Sequence, residues 1–216
     1  MFVFPNNSAA NPRRAVLGFG VEGTAALLVM AVLPRFFFGF LSPTLPWIQP
    51  ILPAASQVGL LLTFFTDGAI GGYWLGLGRR STWGYASGFL VGGLFISQMF
   101  TYLRFLSAGQ GPVGALFYCA SMGALGFGTA GCLGGLSIGS SRKLVVRSTA
   151  GFTLGGALGG VLLASPFLIP YPGSILAEQL ITMTLTLTGF LIPHLVGGAV
   201  IGSALESGAW TRIKPS

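Results

Sequence analysis

The sequence predicts an all-α polytopic membrane protein: six transmembrane helices arranged as three parallel glycine-rich helical hairpins. Three observations predict it. Only 7% of the 216 residues are charged, while 52% are hydrophobic. An average soluble domain is about 25% charged, so a chain this poor in charge is solvated mainly by lipid. Six apolar runs, near residues 15–40, 56–78, 82–106, 112–139, 145–169 and 179–205, are each long enough to cross ~30 Å of hydrocarbon. Finally, one stretch repeats. Phe64, Thr66, Gly68, Gly71, Gly72, Gly76, Arg79, Gly88, Phe89, Gly92 and Gly93 return 63 positions later as Phe127, Thr129, Gly131, Gly134, Gly135, Gly139, Arg142, Gly151, Phe152, Gly155 and Gly156. The same step carries Phe64, Gly71, Gly72 and Gly76 onto Phe190, Gly197, Gly198 and Gly202.

Taken in order, residues 1–12 are mostly uncharged and polar, and Arg13 and Arg14 precede the first apolar run. That run has no clear small-residue cleavage site and continues to the cluster Phe36, Phe37 and Phe38, so it is expected to be a span rather than a cleaved signal. Pro43, Pro46, Pro50 and Pro53 separate spans one and two. Arg79 and Arg80 form the short basic turn between spans two and three. Pro112 opens span four, and Arg142, Lys143 and Arg147 join it to span five. Pro166, Pro170 and Pro172 mark the last connection, and Arg212 and Lys214 follow span six. With six spans, all four basic clusters fall on one side, and only Arg35 and Arg104 fall opposite, where they can snorkel to headgroups. The positive-inside rule then puts both termini in the cytoplasm, in a plasma or inner membrane. Trp47 and Tyr171 lie near span ends, where amphipathic rings favour the interface.

No polar linker divides the chain, so residues 1–216 form one membrane domain, with hairpins near 15–78, 82–139 and 145–205. The first helix of each hairpin carries a Gly-Phe pair: Gly18-Phe19, Gly88-Phe89 and Gly151-Phe152, the first pair needing a shift of seven residues from the regular step. Two spans per repeat give parallel copies related by an axis along the membrane normal. Three copies imply a pseudo-threefold ring.

Gly68, Gly72 and Gly76 are spaced by four, as are Gly131, Gly135 and Gly139. Gly88 and Gly92, Gly151 and Gly155, and Gly198 and Gly202 follow the same rule. Such rows let helices approach closely in lipid, where van der Waals packing drives association. A phosphate-cradling reading fails, because neither a preceding strand nor a Gly-Lys-Ser/Thr motif accompanies the glycines.

The exceptions to the glycine rule are the candidate site. Glu22 aligns with Gly92 and Gly155, and His194 aligns with Gly68 and Gly131. Both replace packing glycines, on the two helices that meet if the ring closes, so they are expected to approach each other at that seam. Intramembrane ionisable groups are costly and usually face a partner or a polar path. Asp67, near the midplane, has no acidic counterpart in the other copies, which carry Ala130 and Pro193. It is rotated ~100° from the glycine row. Either it lines a path with Glu22 and His194, extended by Gln57, Gln98 and Thr182, Thr184, Thr186 and Thr188, or it is locally hydrogen-bonded and structural.

Other classes are weaker. The net charge of +7 sits at the ends of apolar runs rather than on a basic face, so no nucleic-acid partner is expected. One histidine and no metal-ligand spacing predict neither a metal nor a cofactor. Cys119 and Cys132 fall on one helix about 20 Å apart, too far for a disulfide. No nucleophile and base are paired in sequence, so no enzyme is expected. The expected partners are the lipid bilayer and a homo-oligomer or larger membrane complex. The expected function is passage of a small solute or ion along a path near the repeat axis, by a channel or transporter. The alternative is a non-catalytic accessory or assembly subunit of a larger membrane complex.

Overall fold

The computed structural model describes residues 15–25, 52–75, 79–106, 111–138, 141–167 and 175–206, together with Arg13, Trp47 and Pro50. The described chain is all-helical: α1 (Ala15–Ala25), α2 (Leu52–Trp74), α3 (Arg79–Leu106), α4 (Pro112–Ile138), α5 (Arg142–Ala164) and α6 (Ile175–Glu206), with a short 3-10 turn at Ser165–Phe167. Three of these helices are both long and apolar enough to cross a membrane: Pro112–Ile138, Arg142–Ala164 and, within α6, Gln179–Leu205. The expected span 15–40 is described only over its first turns, as α1; its second half lies outside the described residues, as do Arg35, Gly76 and Gly139.

Helix starts follow local chemistry only in part. Proline opens α4, where a missing N–H costs nothing. Ser141 caps α5 with extended backbone but no side-chain hydrogen bond. Arg79 and Arg80 begin α3, and Arg142 and Lys143 begin α5. Cations at a helix N-terminus oppose the helix dipole by about 0.3–1 kcal/mol each. Helix stability therefore does not explain their position.

Each helix from α2 onward packs against the next in sequence. Helix α1 lies against both α2, where Gly18 faces Trp74, and α6, where Gly23 faces the His194 ring and Gly198 faces Ala15 and Phe19. The six helices thus close into a ring. Its contacts depend on missing side chains. A Cβ on Gly92 would overlap the Gly126 carbonyl, and Cβ atoms on Gly123 and Gly156 would each overlap the other's carbonyl oxygen. A Cβ on Gly68 would overlap the Tyr85 carbonyl, while Gly155 lies against the Pro193 backbone and Gly159 against the Pro193 ring. These faces bring backbone to backbone, which is how apolar helices gain contact area without a hydrophobic driving force.

Aromatic rings fill the centre. Phe19 meets Phe152 at 5.2 Å and Tyr85 at 5.4 Å between centroids, both edge-on. Phe89 meets Phe152 at 5.5 Å and Phe127 at 6.0 Å, and Phe64 meets Phe127 at 6.2 Å. The Tyr85 hydroxyl donates to Ser148 Oγ (3.1 Å), and Ser148 donates onward to the Gly131 carbonyl (2.7 Å). Apolar side chains also cover the outside: Phe117, Leu62, Tyr73 and Trp83 are all more than half exposed. Arg13, Arg79, Arg80, Arg142, Lys143 and Arg147, by contrast, are exposed near the starts of their helices.

Candidate functional site

Among the described residues the interior holds one cluster of ionisable side chains. Glu22 on α1, Asp67 on α2 and His194 on α6 are all buried, at 0%, 2% and 0% relative exposure. His194 Nε2 lies 3.0 Å from Asp67 Oδ2 and 3.9 Å from Glu22 Oε1. On its other side, Nδ1–H donates to the Phe190 carbonyl at 2.7 Å. A carbonyl can only accept, so this bond fixes the ring orientation and commits the Nδ1 proton. One shared proton then lies between Nε2 and Asp67. Glu22 is different. Among the described residues neither of its oxygens has a hydrogen-bond partner.

Glycines make the room. A Cβ at Gly71 would overlap the Glu22 carboxylate and press on the Phe19 ring, and one at Gly23 would sit 3.0 Å from the His194 ring. Glu22 and His194 therefore each occupy a space opened by a glycine on a neighbouring helix. Pro193, fully buried, fixes the α6 backbone one residue earlier by docking on Gly155 and Gly159. Aromatic rings seal the cluster. Phe89 stacks on the imidazole at 5.5 Å with 28° between planes, and Phe127 meets it edge-on at 5.3 Å.

The electrostatics follow from the count of charges. The His194–Asp67 pair with its one shared proton is neutral as a unit. An ionised Glu22 leaves the enclosure at −1 with no donor to meet it. An unpaired buried charge is among the costliest features a fold can hold. The arrangement is thus a set of three acceptors from three helices, short of positive charge by one or two units.

Comparison with protein-family models, with curated proteins and with solved structures gives no match.

The structure brings Glu22 and His194 together across the seam between α1 and α6. It also joins Asp67 to them, as the nearer partner of His194, which the rotation of Asp67 off the glycine row does not suggest. A signal existed: at twice the 63-residue step Asp67 aligns with Pro193, next to His194. The wider polar path does not assemble. Gln57 and Gln98 lie exposed on the outer surface. The hydroxyls of Thr184 and Thr188 donate to carbonyls four residues back in their own helix, which satisfies them locally. Cys119 and Cys132 are both free and both on α4, away from the cluster. The spacing argument against a metal looks only along the chain; here three ligating atoms come from three helices.

Proposed function

We propose that this chain is an integral membrane transporter that moves a small cation through the enclosed centre formed by Glu22, Asp67 and His194. The observation that carries the reading is Glu22: a fully buried carboxylate without a hydrogen-bond partner among the described residues, facing a histidine and a second acid. A purely structural cluster would satisfy its members, because a half-satisfied polar group in the interior costs about 1–3 kcal/mol or more. A site that binds and releases a cation must leave ligands without permanent partners. Its enclosure by Phe89 and Phe127 suits an occluded carrier rather than an open pore.

The same proposal includes six spans as three parallel hairpins about an axis, with both termini cytoplasmic. Residues at equivalent repeat positions touch each other: Tyr85 with Ser148, Phe64 with Phe127, and Phe152 with both Phe19 and Phe89. Equivalent residues meet only near an axis of symmetry. The basic residues at the starts of α3 and α5 oppose the helix dipole, yet they suit a cytoplasmic membrane surface. With Cys119 and Cys132 replaced by serine, Arg80→Cys and Lys143→Cys should each be labelled from the cytoplasmic side only; labelling from the opposite side rejects the orientation.

A second reading, an accessory subunit of a larger complex, is favoured by an open apolar groove along the outer face of α5. It is lined by Val146, Thr149, Ala150, Thr153, Leu154 and Ala157, and small residues at such spacing suit a partner helix. The experiment that decides is cation flux in proteoliposomes, comparing wild type with Asp67→Asn. The transport reading expects flux in wild type and at least a tenfold loss in the variant. Folded wild-type protein that passes no cation rejects it.

A further inference from the structure

The three acceptor atoms suit something more specific than a proton. His194 Nε2, Asp67 and Glu22 each offer one ligand atom, and these atoms lie within 4.8 Å of one another. Ligands at 2.0–2.2 Å from a first-row metal ion are about 3.0–3.5 Å apart on adjacent corners of an octahedron or tetrahedron. The observed separations of 3.0 and 3.9 Å from Nε2 bracket that range. Closing onto an ion takes side-chain shifts of about 1 Å or less.

The imidazole is already oriented as a ligand. Its Nδ1–H is held by the Phe190 carbonyl, so loss of the shared proton leaves the Nε2 lone pair directed at the two acids. A second hydrogen bond of this kind is the usual support of a metal-bound histidine. A proton between Nε2 and Asp67 serves that pair alone and leaves both Glu22 oxygens without a partner. A dication serves all three. Its charge also closes the balance: two carboxylates and a neutral imidazole against +2 give zero, which is the cheapest state in a low-dielectric interior. Binding releases the shared proton to solvent, and no bond to carbon or change of oxidation state is involved.

The donor set selects the ion. Magnesium and calcium take oxygen ligands almost exclusively, and monovalent copper takes sulfur. One imidazole nitrogen with two carboxylates suits the divalent first-row ions manganese, iron, cobalt and zinc. We infer that Glu22, Asp67 and His194 form a binding site for a divalent first-row transition-metal ion inside the helix ring. The inference rests on the transport reading only for its consequence, that such an ion is the cargo.

The test is equilibrium dialysis of untagged protein, purified in detergent and stripped with chelator, against Zn²⁺ alone and, separately, Co²⁺ alone. One ion per chain is expected, with affinity at least tenfold weaker in Glu22→Gln and in Asp67→Asn. Zn²⁺ should raise the melting temperature of wild type more than that of Glu22→Gln. If Asp67→Asn does not fold, Glu22→Gln decides alone, since it removes no hydrogen bond described in the structure. No saturable binding, or binding that both substitutions leave unchanged, overturns the site. Binding that depends on the three residues, with no cation flux in proteoliposomes, upholds the site and rejects transport. Flux that Asp67→Asn abolishes, from protein that binds neither ion, rejects the metal site and leaves transport standing.

Discussion

Replacing Glu22 by Gln should make the metal-free protein more stable, which is unusual for a fully buried residue. Glu22 is at 0% relative exposure, and neither carboxylate oxygen has a hydrogen-bond partner among the described residues. The substitution keeps shape and volume. It places an amide N–H₂ among acceptors, close to Asp67. Relieving one unsatisfied buried group is worth about 1–3 kcal/mol. For a chain of this length each kcal/mol moves the melting temperature by about 2–4 °C, so the expected rise is between about 2 and 12 °C. The assay is thermal unfolding of purified protein in detergent with chelator present. Saturating Zn²⁺ should then shift the ranking towards wild type by about 1.4 kcal/mol or more, because wild type binds the ion at least tenfold more tightly. A melting temperature in chelator that is unchanged or lower for Glu22→Gln refutes the reasoning that Glu22 is unsatisfied.

Two further predictions concern packing around the centre. Gly156→Ala places a Cβ against the Gly123 backbone, with the Gly123 carbonyl carbon at 2.8 Å and Phe127 Cβ at 2.9 Å; α4 and α5 must part, at a cost of about 1–3 kcal/mol. Gly59→Ala meets nothing within 4 Å and should gain up to ~1 kcal/mol of helix propensity, so opposite signs in thermal unfolding are the expected result. Tyr85→Phe loses a hydrogen bond to Ser148 but leaves Ser148 bonded to Gly131, so it should cost about 0.5–1.5 kcal/mol. Ser148→Ala should cost more in the same measurement, because it strands the buried Tyr85 hydroxyl.

Much of the architecture was readable from the chain. The apolar runs located α2 to α6 to within a few residues, because the helices are bounded by prolines and basic turns that leave a compositional mark. Glu22 and His194 were readable as exceptions once the repeats were aligned, since only the aligned copies reveal that each stands where a glycine belongs. Among the described residues three helices, α4 to α6, have the length and hydropathy of spans; polar residues such as Gln57 and Asp67 dilute the same signal along α2. Asp67 was harder. Its row on α2 diverges from the glycine face, and whether such a residue turns inward depends on the tilt of α2 against α1 and α6, which spacing does not encode. Nor does composition reveal that Thr184 and Thr188 bond back to their own helix while Gln57 and Gln98 face outward. The Tyr85–Ser148 bond was also missed. Its signal was present in the 63-residue separation of the two partners, which equals the step at which the sequence pattern recurs.

The most direct measurement is a double-mutant cycle on thermal stability, with Glu22→Gln and His194→Ala made singly and together. The two side chains sit 3.9 Å apart on α1 and α6, within one enclosed cluster. If they belong to one centre, the double variant should depart from the sum of the single variants by at least ~0.5 kcal/mol. Effects that add to within about 0.3 kcal/mol would mean that α1 and α6 do not bring these residues together, and the account of a shared cation centre would not stand.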